Sequence, residues 1–351
     1  MIKADHGYAN ARIRAMKSRL LDKSFFEGLL GTKNVTEVIV ALEQTVYGRE
    51  IHEEVLRSGG PTGVEEGLRR NTAETLQKIL KILSPGAREL IGTLVGRWDI
   101  QNLKTILRGK HIGATVEEIV TSLAPAGIIP EATLRELAKQ PDVRGAIDLM
   151  ATWSIPYARP LTANFGDYQH QYHLQILEFA LDEFYYRSVL AKLNAGSLDT
   201  GLVREVIKRE IDFTNIMTLL RLTKEEVGPE EKERYLVDGG KLDLKFLKKL
   251  ALEQDIDDLI AVLKKTAYGP VLEEGWQLLL KTGDFSIIER RLEDYILKKT
   301  TDLFRADPLS IALVIAYIWA KLNEVVNLRI VVRGIEVAMP EERIRQALVF
   351  V

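Results

Sequence analysis

A chain of 351 residues, 46% hydrophobic and 28% charged, is long enough for two or three cores and too apolar for a disordered tail. Lys and Arg number 48 against 50 Asp and Glu, so the overall basic balance of a nucleic-acid binder is missing. The absence of cysteine excludes disulfides, thiol nucleophiles, iron–sulfur clusters and Cys-type zinc sites.

The first segment, Met1 to Arg19, is polar and carries Lys3, Arg12, Arg14, Lys17 and Arg19 without an apolar stretch. It reads as a leading helix and not as a secretory signal. Prolines then mark junctions along the chain, many beside glycine: Gly59-Gly60-Pro61, Ser84-Pro85-Gly86, Gly228-Pro229 and Gly269-Pro270. Such pairs punctuate helices; Pro125, Pro130, Pro141, Pro156, Pro160, Pro308 and Pro340 complete the set. Between them apolar residues recur in steps of three and four, the spacing that keeps one face of a helix apolar. Leu68, Thr72, Leu76, Ile79 and Leu83 form one stripe. Leu177, Leu181, Phe184, Ser188 and Ala191 form another, and Ile288, Leu292, Tyr295, Lys299 and Leu303 a third. Ile311–Ala320 is the longest apolar run, about half of a membrane-spanning helix. Val325–Val332, the one stretch that hints at a strand, continues a helical pattern. The predicted fold class is all-α, with long helices joined by short turns.

Three helices end on one form. Asn102-x4-Leu107-Arg108, Asn215-x4-Leu220-Arg221 and Asn323-x4-Leu328-Arg329 share N-x4-L-R, with arginines 113 and 108 residues apart. Flanking segments agree: Leu21–Leu29 matches Leu242–Leu250, with Ile129–Leu137 as a weaker middle copy. Each runs on to Tyr47, Tyr157 or Tyr268, and from tyrosine to arginine the gaps are 61, 64 and 61. Glu117-Glu118, Glu230-Glu231 and Glu341-Glu342 open the next helix, where acidic residues favour the positive end of the dipole. These registers define three similar helical domains in tandem, at 1–127 with its leading helix, 128–240 and 241–351. The period is domain-sized, far above that of a solenoid repeat. Three like units can close around a pseudo-threefold axis with a central funnel; an open arc satisfies the same spacing.

Catalytic motifs are missing. The sequence holds no P-loop, no H-E-x-x-H and no calcium loop, so no catalytic residue, metal or cofactor is assigned. His170 and His173 stand three apart, as two ligands on one helix face would, but no carboxylate lies at metal spacing and a polar helix entry is the plainer reading. Asp255, Asp257 and Asp258 are acidic enough for Mg2+ yet lack the D-D-x-x-D spacing; a solvated helix N-terminus is plainer. Two readings stand for Asn102, Asn215, Asn323, Arg108, Arg221 and Arg329. They are helix-end residues, with arginine near the negative pole of the dipole, or they line the inner wall of a trefoil. The tyrosines read as buried anchors with satisfied hydroxyls.

The opening Tyr8-Ala-Asn-Ala-Arg12-Ile-Arg14-Ala-Met16-Lys17-Ser-Arg19-Leu-Leu21 resembles the N-terminal signature of the C subunit of archaeal A-type and bacterial V-type ATP synthases. The eukaryotic V-ATPase counterpart is the d subunit. Trp98-Asp99-Ile-Gln-Asn102 through Arg108 looks like another hallmark, as do Pro308 through Tyr317, Lys321, Glu324-Val325 and Asn327-Leu328-Arg329. The resemblance covers the whole chain and includes the threefold repeat. His6 departs from an expected aromatic, and Ile155-Pro156-Tyr157 departs from the Thr-x-Tyr-Gly of the other copies. The resemblance implies a funnel of three helical domains that receives the central stalk, made of the D and F subunits, and sits on the membrane rotor ring of proteolipid subunits. It implies a peripheral protein on the cytoplasmic side that passes torque and performs no bond chemistry, with neither nucleic acid nor a small-molecule substrate as partner. The repeated arginines and asparagines would then help to grip the stalk. Two other readings use the same sequence: a helical enzyme built on Asp255–Asp258, and a helical scaffold or adaptor unrelated to rotary ATPases.

Overall fold

Proline and short polar side chains set where the helices begin. In the computed structural model, which describes residues 6–124, 126–193, 196–282 and 286–350, Pro61, Pro85 and Pro229 stand in the first turn of a helix. There the missing N–H breaks no helical hydrogen bond. Asp22, Asn34, Thr115, Ser197, Asp243 and Asp255 cap other starts, each accepting a backbone N–H. The expected acidic pairs lie in the first turns of their helices. Pro125, one of the expected junctions, lies outside the described residues.

Nineteen α-helices and no strand occur among the described residues. Helix α1 (Gly7–Lys17) leads. A set of six follows: α2 (Lys23–Leu30), α3 (Val35–Glu43), α4 (Gly48–Ser58), α5 (Gly60–Ile82), α6 (Pro85–Ile112) and α7 (Val116–Thr121). The second set is α8 (Glu131–Ala138), α9 (Val143–Thr152), α10 (Ala158–Gln171), α11 (Gln175–Lys192), α12 (Leu198–Lys224) and α13 (Pro229–Arg234). The third is α14 (Leu244–Ala251), α15 (Ile256–Leu263), α16 (Gly269–Thr282), α17 (Ser286–Thr301), α18 (Ala312–Glu336) and α19 (Glu341–Ala347). In every set the fifth helix is the longest, at 28, 27 and 25 residues.

The chain folds as two compact units, one running to Ala146 and resuming at Thr301, the other Ile147–Thr300. Each has a core shared between two sets. In the first unit Phe26, Leu29, Val38, Leu42, Val64 and Leu68 pack against Val325, Leu328, Val331 and Val332 of α18. The head of the first set thus meets the tail of the third. In the second unit Leu247, Leu250, Leu259, Leu263, Ile288 and Leu292 pack against Ile216, Leu219 and Leu220 of α12. Each such side chain contributes about 1.5–3 kcal/mol. The apolar run Ile311–Ala320 is buried along its length because α18 has α1, α2, α3, α5 and α19 packed around it. No helix among the described residues is long and apolar enough to cross a membrane.

Candidate functional site

The three long helices carry side chains that clasp the chain further on. Asn102 on α6 is buried, donates to the carbonyls of Ala124 and Ala126 at 3.2 Å each, and accepts from Ala124 N at 2.7 Å. Asn215 on α12 donates to Val237 O and accepts from Val237 N, both at 2.8 Å. Asn327 on α18 donates to Val349 O at 2.6 Å and accepts from Val349 N at 3.1 Å. Each bridge spans 22 residues. A carboxamide can answer both backbone groups of one loop residue, which burial would otherwise leave unpaired.

The asparagine of the third set is therefore Asn327 and not Asn323. Asn323 reaches the same Val349 carbonyl at 2.8 Å from one turn earlier and is half-buried. The equivalent of Arg108 and Arg221 moves with it, from Arg329 to Arg333. The two registers lie about one turn apart on one helix face, so N-x4-L-R fits the wrong one. A second contact fixes the choice. Gly109 follows Arg108 and Gly334 follows Arg333, and a Cβ at either glycine would overlap the side chain of Ile119 or Ile344.

Three residues before each asparagine stands a carboxylate aimed at the head of the next set. Asp99 accepts from Ile128 N at 2.9 and 3.0 Å and from Ile129 N at 2.9 Å. Asp212 accepts from Leu242 N at 3.0 Å and from the Tyr268 hydroxyl at 2.7 Å. Glu324 accepts from Leu21 N and from the Tyr47 hydroxyl, the latter at 2.6 Å. Gly127 and Gly240 let the backbone pass where a Cβ would overlap the carboxylates of Asp99 and Asp212. Burial raises the pKa of both acids, Asp99 to about 6. In the sequence Asp99 and Glu324 stand out only within the family resemblance. The signal that finds all three is [DE]-x-x-N-x5-R, read at Asp99, Asp212 and Glu324.

The tyrosines receive these carboxylates. Tyr47 and Tyr268 are buried; burial first, then the adjacent carboxylate, pushes both hydroxyls above their ordinary range. Thr45 and Thr266 each accept from the tyrosine N–H at 3.2 Å and donate to the carbonyl of Leu42 or Leu263. Gly48 and Gly269 follow because a Cβ would stand 2.9 Å from the carbonyl carbon of Glu43 or Lys264. The middle copy has Ile155 for the threonine and Ala158 for the glycine, and Tyr157 is only half-buried. At Tyr47 a further charge enters. Lys321 is buried, 3.3 Å from Glu324 and 3.7 Å over the Tyr47 ring; burial lowers its pKa.

The arginines divide by exposure. Arg108, Arg221 and Arg333 are exposed and Arg329 is half-buried. Arg221 donates from Nη2 to both oxygens of Glu289 at 2.8 Å, whereas Arg333 forks onto Glu65, with Nε and Nη2 each donating to one oxygen. Arg329 donates to Thr121 O at 3.1 Å, and burial lowers its pKa. The acidic cluster is a helix start: Asp255 caps α15 and accepts from Asp257 N at 2.6 Å. His170 and His173 are exposed near the end of α10. Among the described residues no group of three or more His, Asp or Glu could hold a metal ion.

Like helix sets, each with a buried asparagine on its own tail and a buried carboxylate on the head of another set, define an all-α repeat protein whose polar constellations hold chain to chain. The chain belongs to the ATP synthase (C/AC39) subunit family, whose model matches residues 9–347. It is 34% identical to the A-type ATP synthase C subunit of Methanosarcina acetivorans, over 99% of this chain and 94% of that one. The counterpart from Methanococcoides burtonii is 32% identical and that from Methanosarcina mazei 31%, each again over 99% of this chain and 94% of the relative. Membership gives the chain a non-catalytic part in a rotary ATPase, the coupling of stalk to rotor.

Proposed function

We propose that this chain joins a D–F central stalk to a proteolipid rotor ring on the cytoplasmic side of the membrane, as a peripheral protein that passes torque. The three repeats, at 1–127, 128–240 and 241–351, close around a pseudo-threefold axis as a funnel. One observation carries this reading. Glu324 of the third set holds Leu21 and Tyr47 of the first, the grip that Asp212 of the second set has on Leu242 and Tyr268 of the third. A series of links that returns to its start supports a closed trefoil over an open arc. Long packed helices supply the stiffness that torque transfer needs.

A stalk that turns with this protein must not slip, and several distributed contacts serve that better than one. Arginine offers a planar fork for carboxylates and helix C-terminal carbonyls. Arg108 and Arg221 are exposed and form the centre of the proposed stalk contact, with Arg333 as their third equivalent and Arg329 beside it on α18. Asn102, Asn215 and Asn323 are bonded to backbone and support the wall behind the arginines. The test is capture of purified D–F stalk by the isolated chain. Arg108→Glu, Arg221→Glu, Arg329→Glu and Arg333→Glu together weaken capture by at least about tenfold, roughly 1.4 kcal/mol, while circular dichroism stays helical. Undiminished capture removes the arginines from the contact. A wild-type chain that cannot hold stalk and ring at once removes the coupling geometry.

A further inference from the structure

The second unit has an open cleft at a place that the first unit has shut. Beside α12, the Lys241–Phe246 segment and α17 lies a cleft of about 600 Å³. Phe246, Tyr268 and Tyr295 line it, the two tyrosines edge to face with ring centroids 5.4 Å apart. Arg209, Lys241 and Lys299 line it too. Arg209 and Lys241 share one carboxylate, Glu205, at 3.5 and 2.8 Å, and Lys299 stands 5.7 Å over the Tyr295 ring. The one carboxylate of the lining, Asp243, caps α14. The cleft is aromatic within and carries more positive than negative charge.

The matching positions of the first unit are closed. Helix α17 aligns on α5 through core residues, Ile288 on Val64 and Leu292 on Leu68, and through the arginine partners Glu289 and Glu65. Tyr295 then matches Asn71 and Lys299 matches Thr75, while Arg209 on α12 matches Lys321 on α18. Asn71, Thr75 and Lys321 are buried; Arg209 and Tyr295 are half-buried and Lys299 is exposed. The helices that bear the buried positions, α5 and α18, are the ones on which α1 packs. Helix α1 turns Ala9, Ile13 and Met16 inward, an apolar stripe at helical spacing. Its Asn10 donates to the carbonyls of Pro308 and Ser310 at 2.7 and 2.9 Å. The third set has no leading helix of this kind.

We propose that the cleft seats a helix of a partner protein, with an apolar stripe and an acidic flank. A helix is the occupant because in the first unit α1 packs on the corresponding pair, α5 and α18. The sign follows from Arg209, Lys241 and Lys299. The α1 of a second copy has the wrong charge, since its outer side holds Arg12, Arg14 and Lys17 and no acidic residue occurs between Gly7 and Leu21. The proposal rests on the cleft and stands apart from the stalk contact.

The probe is a labelled peptide with the sequence of residues 7–21 in which Arg12, Arg14, Lys17 and Arg19 are replaced by glutamate. Its fluorescence anisotropy is followed as the full chain is added. Saturable binding is expected, weakened at least about tenfold by Lys241→Glu with Lys299→Glu, and unchanged by Lys78→Glu, an exposed lysine of the first unit. Lys299→Gln, which removes charge and keeps the chain length, weakens binding less. The unaltered basic peptide binds at least about tenfold more weakly than the acidic one. No saturation up to about 1 mM, equal binding by the two peptides, or indifference to the lysine reversals in a folded chain overturns the proposal.

Discussion

Two clasps of one design, at Tyr47 and at Tyr268, have reached different states. Both present a buried tyrosine hydroxyl to a carboxylate three residues before a clasping asparagine, and both need a glycine after the tyrosine. At Tyr268 the cation that follows the long helix down, Arg209, is half-buried and paired outward with Glu205. At Tyr47 the corresponding Lys321 is sealed in, over the ring and against Glu324. A sealed ammonium must be answered, because desolvation costs several kcal/mol and only a well-placed partner offsets it. Glu324 thus holds the Lys321 ammonium besides Leu21 N and Tyr47, whereas Leu242 N and the Tyr268 hydroxyl, which Asp212 holds, are neutral donors. The clasp that joins the last set to the first is the more charged and more enclosed of the two.

That difference breaks most sharply on removal of the acids. Glu324→Ala strands the Lys321 ammonium and costs about 3–5 kcal/mol, while Asp212→Ala leaves unpaired donors and costs about 1–3 kcal/mol. Urea unfolding followed by circular dichroism orders the two. Adding Lys321→Met to Glu324→Ala recovers much of the loss; no recovery would mean that the lysine is not the reason.

The clasp at Asp99 adds a pH signature. Its carboxyl has a pKa of about 6 in the folded chain, raised by burial, against about 3.9 unfolded. A raised acid binds more protons folded than unfolded between those values, so its contribution to stability is fullest below pH 4 and is lost as pH rises to about 6. The loss amounts to about 2–3 kcal/mol. Asp99→Asn keeps an acceptor for Ile128 and Ile129 and cannot ionise. Its stability relative to wild type therefore rises between pH 4 and 6 and is level above. A pH-independent difference would show that Asp99 is solvated.

A smaller contrast separates the outer copies from the middle one. Gly48→Ala and Gly269→Ala each force a Cβ against a backbone carbonyl and cost about 1–3 kcal/mol. Ala158→Gly in the middle copy, where the turn already accepts a side chain, costs about 1 kcal/mol or less. Thermal midpoints of the three variants test the ranking.

Helical class and the punctuation of the chain were legible because periodicity and proline act locally. The Asp255 cluster was legible as a helix start for the same reason. The third register was not. On α18, Asn323 and Asn327 both reach Val349, and a helix repeats its face each turn, so a short pattern cannot separate neighbours on that face. The discriminating residues, Glu324 before and Gly334 after, act through Leu21, Tyr47 and Ile344, two of them more than 270 positions away. The sharing of each core between two sets was hidden for the same reason: stripes tell which face is buried and not which partner buries it. Lys321 stood out only within the family resemblance and not by its pattern, since one lysine in an apolar helix reads alike whether it is sealed or reaches solvent.

At the arginines the two units converge, and the expected effects are the smallest. Arg221 on Glu289 and Arg333 on Glu65 are both two-bond ion pairs with partly exposed side chains, 47% and 54% for the arginines. Solvent weakens such pairs to about 0–1 kcal/mol, and salt weakens them further. Arg221→Ala and Arg333→Ala should therefore each shift the unfolding free energy by less than about 1 kcal/mol, equally in the two units, and by less again at high salt. That equality sharpens the comparison, since it confines the difference between the units to the buried clasps. It also separates two roles for the arginines. Residues that only tie one set to the next lose a little stability and nothing else. Residues that also meet the stalk lose capture of D–F far out of proportion to that small loss. If the loss in capture is no larger than the loss in stability, Arg221 and Arg333 are ties within the chain, and the grip on the stalk must be sought on other residues.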